Sequence, residues 1–73
     1  MKRYAVVIET TDTGYGAYVP DLPGCVAAGA TYEETDRLIR KAIPFHIEGL
    51  RRNGDPVPKP STRVELVDAE TIA

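Results

Sequence analysis

Apolar residues gather in short blocks along the chain, and polar turns separate them. The first block is Tyr4-Ala5-Val6-Val7-Ile8. Its content of Val, Ile and Tyr predicts a strand over residues 3–10. Thr11-Asp12-Thr13-Gly14 follows, and Asp and Gly so close together predict a tight hairpin. A second strand then runs over residues 15–19, antiparallel to the first. Pro20-Asp21-Leu22-Pro23-Gly24 interrupts it. Each proline removes a ladder donor, and Gly24 is suited to a positive φ. Residues 25–28 make a short third strand of small side chains, completing a meander.

The pattern then changes period. Thr31-Tyr32-Glu33-Glu34 reads as a capping box, with the Thr31 hydroxyl accepting from the Glu34 amide and Glu34 reaching back to the Thr31 amide. Leu38, Ile39, Ala42, Ile43, Ile47 and Leu50 form one apolar stripe. Glu33–Arg37, Asp36–Arg40 and Glu48–Arg52 are acid-first i,i+4 pairs. Gly54 suits the position after the C-cap, and Pro56 stops the helix. The spacing predicts one helix from about residue 32 to 52, kinked at Pro44, with two shorter helices as the alternative. Alternating prolines make residues 55–61 extended. Arg63-Val64-Glu65-Leu66-Val67 alternates and predicts a last strand, followed by a frayed tail over residues 68–73. The expected class is α+β, in the order β-β-β-α-β: a small antiparallel meander with one helix on one face.

One helix covers one sheet face, yet both faces carry apolar residues. Tyr4, Val6 and Ile8 share one side of the first strand, and Ala5 and Val7 the other. Tyr15 and Val19 oppose Tyr18 on the second. A one-helix sheet with a wet face alternates apolar and polar. The second face therefore expects a cover, either another copy or a different protein. The alternative tucks the strand ends under the Pro-rich segment. The candidate contact residues are Ala5, Val7 and Tyr18 on that face, with Asp21 and Leu22 in the turn.

Composition narrows the classes. The chain has 73 residues, which implies a single domain over residues 1–73 with a marginal core, and self-association to a dimer or larger is expected to add to it. The lone cysteine excludes an intrachain disulfide and suits a reducing, cytoplasmic setting. No run approaches the apolar length of a membrane span. Net charge is −2, from nine basic and eleven acidic residues interspersed, unlike the basic face of a nucleic-acid binder.

Catalytic chemistry is thin. Two-metal phosphodiester cleavage needs converging carboxylates. The middle of the first strand offers Val6-Val7-Ile8 instead, while Glu9 and Asp21 sit at strand ends and Asp12 in a turn. Cys25 with His46 is the one conceivable nucleophile pair, without an identified orienting group. One His and one Cys do not make a zinc site. Gly14-Tyr15-Gly16 is a hairpin glycine pair, since a phosphate loop lies between a strand and a helix. Tyr15 and Tyr18 fall on opposite faces and make no stacking platform for bases. No catalytic, metal or cofactor site is expected.

The run Pro20-Asp21-Leu22-Pro23-Gly24-Cys25 followed by Gly29-Ala30-Thr31, with Glu9 and Gly14-Tyr15 before it and Glu33-Glu34, Gly54, Pro56 and Pro58 after it, resembles the HicB family of antitoxins. The resemblance covers nearly the whole chain. It implies a degraded ribonuclease-H-like domain without catalytic carboxylates. It also implies a partner, a small basic RNA-cleaving HicA-type toxin, neutralised by steric occlusion. Family members commonly add a C-terminal DNA-binding domain, for which residues up to Ala73 leave no room, so direct DNA binding is not expected. The alternative is an orphan homo-oligomer with an interaction or regulatory role and no toxin.

Overall fold

The computed structural model describes residues 2–70. Three strands, β1 (Val7–Thr10), β2 (Tyr15–Tyr18) and β3 (Val26–Gly29), precede one helix, α1 (Tyr32–Arg52). The sheet is an antiparallel meander in the order β1-β2-β3. Register sets Val7 against Tyr18 and Thr10 against Tyr15, then Tyr18 against Val26 and Tyr15 against Gly29.

The β1–β2 hairpin closes with the Thr11 amide donating to the Gly14 carbonyl at 2.8 Å. Gly14 is obligatory here for want of room: a Cβ would run into the Gly29 carbonyl oxygen. β1 is shorter than its apolar block. β2 ends at Tyr18, because Pro20 removes the next ladder donor, so residues 3–6 lie beyond their partner strand.

α1 has the expected bounds. The Glu34 amide donates to Thr31 Oγ1 at 3.1 Å. The reciprocal bond differs from the expected capping box: Glu34 Oε1 accepts from the Ala30 amide at 2.7 Å. At the other end the Asp55 amide donates to the Leu50 carbonyl and the Gly54 amide to the Arg51 carbonyl, with Gly54 at φ +74°. That is a Schellman closure. Pro44 sits within one continuous helix, which excludes the two-helix alternative. Its ring is exposed, while Ile39, Ile43 and Ile47 pack inward on both sides of it and hold the turns together. Ion pairs join Asp36 to Arg40 and Glu48 to Arg52.

The core lies between α1 and one sheet face. Ala17, Val19, Leu22, Cys25 and Ile39 are buried, ringed by half-buried Tyr4, Val6, Ile8, Ala27, Ala42, Ile43, Ile47 and Leu50. Leu38 leaves the expected stripe. It precedes Ile39 by one residue, about 100° around the helix, and stays 41 % exposed. α1 lies over β3 and β2 and barely reaches β1.

The last expected strand does not form. Residues 63–67 are extended and exposed, and they pair with no strand of the sheet. The observed order is β-β-β-α. Of the expected tail, residues 69–70 form a turn, and residues 71–73 lie outside the described residues.

Candidate partner-binding face

The turn between β2 and β3 folds inward. The Val19 amide donates to the Cys25 carbonyl, the Leu22 amide to Val19 and the Cys25 amide to Leu22, at 3.0–3.1 Å. Gly24 takes φ +87°, the conformation its position demanded. These bonds curl the loop so that Val19, Leu22 and Cys25 all enter the core. Leu22 is 0 % exposed. As an expected contact residue it is therefore corrected: it supports the surface from below and is not part of it.

Asp21 points the other way. Its carboxylate accepts from the Ser61 and Thr62 amides at 2.8 and 2.9 Å, and from their hydroxyls at 3.2 and 2.7 Å. The Thr62 amide, then the Ser61 amide, chiefly hold the carboxyl down at about 2, from an ordinary 3.8. The partners lie forty residues along the chain, so no local pattern announced the clamp. Asp21 thus spends its acceptors on its own chain. Upstream, Tyr4 Oη donates to the Pro58 carbonyl at 2.6 Å. Together the two contacts pin the Pro-rich segment across one end of the sheet.

Opposite α1, the register builds an apolar row. Residues directly across from one another share a face. Val7, Tyr18 and Val26 therefore line up across all three strands, away from the helix. Tyr18 is 42 % and Val26 64 % exposed. The next residues on this face are Glu9, Gly16 and Ala28, also paired across the sheet. Ala5 is half-buried and lies just before β1. Of the expected contacts, Val7 and Tyr18 meet in this row, and Ala5 has the same strand parity. Val26 was missed, although it sits one residue after the inward Cys25 and must face outward.

The residues weighed for chemistry stay apart. Glu9 is on β1, Asp12 in the hairpin and Asp21 in its clamp. Among the described residues no three His, Cys, Asp or Glu side chains are grouped to hold a metal ion. His46 approaches the turn, since a Cβ on Gly24 would lie 3.7 Å from its Cε1. Cys25 is nevertheless buried, and desolvation pushes its thiol up, away from the thiolate a nucleophile requires. Among the described residues no helix is long and apolar enough to cross a membrane.

The comparisons agree with this geometry. A protein of Haemophilus phage HP1 is 43 % identical over 56 residues, covering 77 % of this chain and 42 % of its own length. The chain thus spans less than half of that relative. A UPF0150 protein of Synechocystis is 44 % identical over 58 residues, 78 % of this chain and 73 % of its own. A UPF0150 protein of Thermoplasma acidophilum is 34 % identical over 68 residues, 92 % of this chain and 99 % of its own. Among solved structures, a chain of a HicA3 and HicB3 toxin-antitoxin complex matches with a TM-score of 0.71 at 35 % identity, over 82 % of this chain and 70 % of that one. The HicB3 antitoxin matches at 0.64, over 82 % of this chain and 44 % of that one. The model of the HicB-like antitoxins of bacterial toxin–antitoxin systems matches residues 4–72, and the chain belongs to that family.

Proposed function

We propose that this protein neutralises a HicA-type toxin by laying its helix-free sheet face over the toxin's RNA-cleaving site. The observation that carries the reading is the Val7–Tyr18–Val26 row, in which Tyr18 and Val26 are exposed and Val7 is half-buried. It is rigid, held by two strand ladders, and apolar where a self-sufficient sheet would be polar. A central Tyr amid aliphatic neighbours is the composition of an interface core. Membership in an antitoxin family, and likeness to a chain solved in a toxin-antitoxin complex, support a toxin as the occupant. The antitoxin contributes no reacting group. Occlusion needs only a face that fits and is desolvated on contact.

The test is calorimetric titration of the purified chain into the product of an adjacent small reading frame. Tyr18→Ala and Val26→Asp should each weaken binding about tenfold or more, and toxin-driven RNA cleavage should return in proportion. Phe45→Ala, on the opposite side and 81 % exposed, should leave affinity unchanged. Loss of binding from Phe45→Ala with none from Tyr18→Ala would move the interface to the helix and end this reading.

A further inference from the structure

The sheet is one strand short on its β1 side. α1 barely reaches β1, so the apolar side chains of that flank are only half covered. Two grooves result. One, of about 490 Å³, lies among Tyr4, Ile43, Ile47 and Val57, with Lys2, Arg51 and the Arg52-paired Glu48 also lining it. The other, of about 380 Å³, lies among Val6, Ile8, Ile39 and Ile43, with Arg3 and the ion-paired Asp36 and Arg40 also lining it. They follow one another along residues 2–8, the stretch that leads into β1, and share Tyr4 and Ile43. β1 is also an edge of the sheet, so its outward amides and carbonyls have no strand beside them.

The same chain carries the missing piece. Pro56, Pro58 and Pro60 remove every donor along one edge of the segment after α1. Donors resume after Pro60, and residues 63–67 contain no proline. This arm is extended and lies in solvent, with Val64 62 %, Leu66 96 % and Val67 80 % exposed. Five residues of strand span roughly 17 Å, the reach of Tyr4 to Ile8. Val64 and Leu66 alternate to one side, as Tyr4, Val6 and Ile8 do.

Charge agrees with length and pattern. Lys2, Arg3 and Arg51 are exposed and have no ion-pair partner among the described residues. The arm and the residues after it carry Glu65, Asp68 and Glu70 against Arg63. Geometry decides whose groove is filled. The segment passes Val57 and Pro58 along the Tyr4 end of the groove, and the Asp21 clamp then holds Ser61 and Thr62 beside the β2–β3 turn. With Val64, Leu66 and Val67 exposed, the arm does not fill the groove of its own chain.

We propose that residues 63–67 of one copy add as a fourth strand to the β1 edge of a second copy, seating Val64 and Leu66 in the groove under α1. Each copy gives one arm and receives one, which closes a two-fold dimer. The contact leaves the Val7–Tyr18–Val26 face open, so it stands apart from the toxin reading.

Sedimentation velocity of the full chain at micromolar concentration should show a dimer. Leu66→Asp should weaken association about tenfold or more by placing a charge in an apolar groove. Because Leu66 is solvent-exposed within its own domain, the variant should keep its helical circular dichroism. Tyr18→Asp, on the other face, should leave the dimer intact. In a mixed sample of labelled and unlabelled chains, NMR contacts from the Leu66 methyls to Ile8 and Ile43 should run between chains. A monomeric wild type, a dimer indifferent to Leu66→Asp but broken by Tyr18→Asp, or arm contacts found only within one chain would each overturn the proposal. The last outcome would mean that the arm folds back onto its own β1.

Discussion

Leu22→Ala separates a core residue from a contact residue at the same position. Leu22 is fully buried, in a loop whose three amides are fixed to backbone carbonyls. Those bonds leave the turn little freedom to collapse into the space the side chain vacates. Truncating a buried Leu costs about 2–5 kcal/mol, the upper part of the range applying where the site cannot relax. Total stability for a chain of this length is on the order of 4–11 kcal/mol, taking roughly 0.05–0.15 kcal/mol per residue. The loss is therefore about a fifth of the whole or more. With a urea slope of about 1 kcal/mol/M, the unfolding midpoint should fall by about 2 M or more, at unchanged slope. Urea titration by far-ultraviolet circular dichroism, in dilute solution so that association does not contribute, reads this directly. Leu66→Ala supplies the control, the same truncation at a 96 % exposed position, and should stay within about 0.5 kcal/mol. A Leu22→Ala midpoint within error of wild type would refute the inward turn. If toxin affinity collapsed at the same time, Leu22 would be a contact residue after all.

Gly24→Ala should destabilise by about 1 kcal/mol or more, and the cause should be conformational. An added Cβ meets nothing closer than 3.7 Å, so the whole penalty comes from φ +87°. Gly24→Asn, which tolerates that region better, should recover part of it in thermal melts, whereas equal losses for Ala and Asn would point to packing instead. For Asp21 the folded carboxyl titrates below its unfolded value. The clamp is thus fully present above about pH 4 and is lost as pH falls through about 2. The Ser61 and Thr62 amide resonances should shift with that lower midpoint; a midpoint near 3.8 would mean that the clamp is not formed in solution. Asp21→Asn weakens charge-assisted bonds and should speed tryptic cleavage after Arg63, with the melting temperature nearly unchanged. Unaltered cleavage would show that something else holds the arm.

What was legible from the residues is what short-range chemistry determines. Thr31, Gly54 and Pro56 fix the ends of α1 within a few bonds of themselves, and strand parity alone placed Tyr4, Val6 and Ile8 opposite Val7 and Tyr18. Errors arose wherever the answer depended on a distant partner. β1 is short because β2 stops at Pro20, a fact outside the β1 sequence. Asp21 has the look of a free turn acid until residues forty positions away arrive to saturate it. Leu22 lies between two chain-turning prolines and reads as exposed, yet the carbonyls of Val19 and Leu22 pull the loop over the core.

Residues 63–67 are the sharpest case. Their alternation is that of a strand, and they are indeed extended, but alternation specifies a conformation and not a neighbour. A strand pattern without a strand partner, beside a sheet whose apolar flank is half covered, is a local signal waiting for a global match. The chain holds both halves of that match and does not join them within one copy. On the proposed arm exchange a second molecule supplies that match, and the sequence is then consistent at every level.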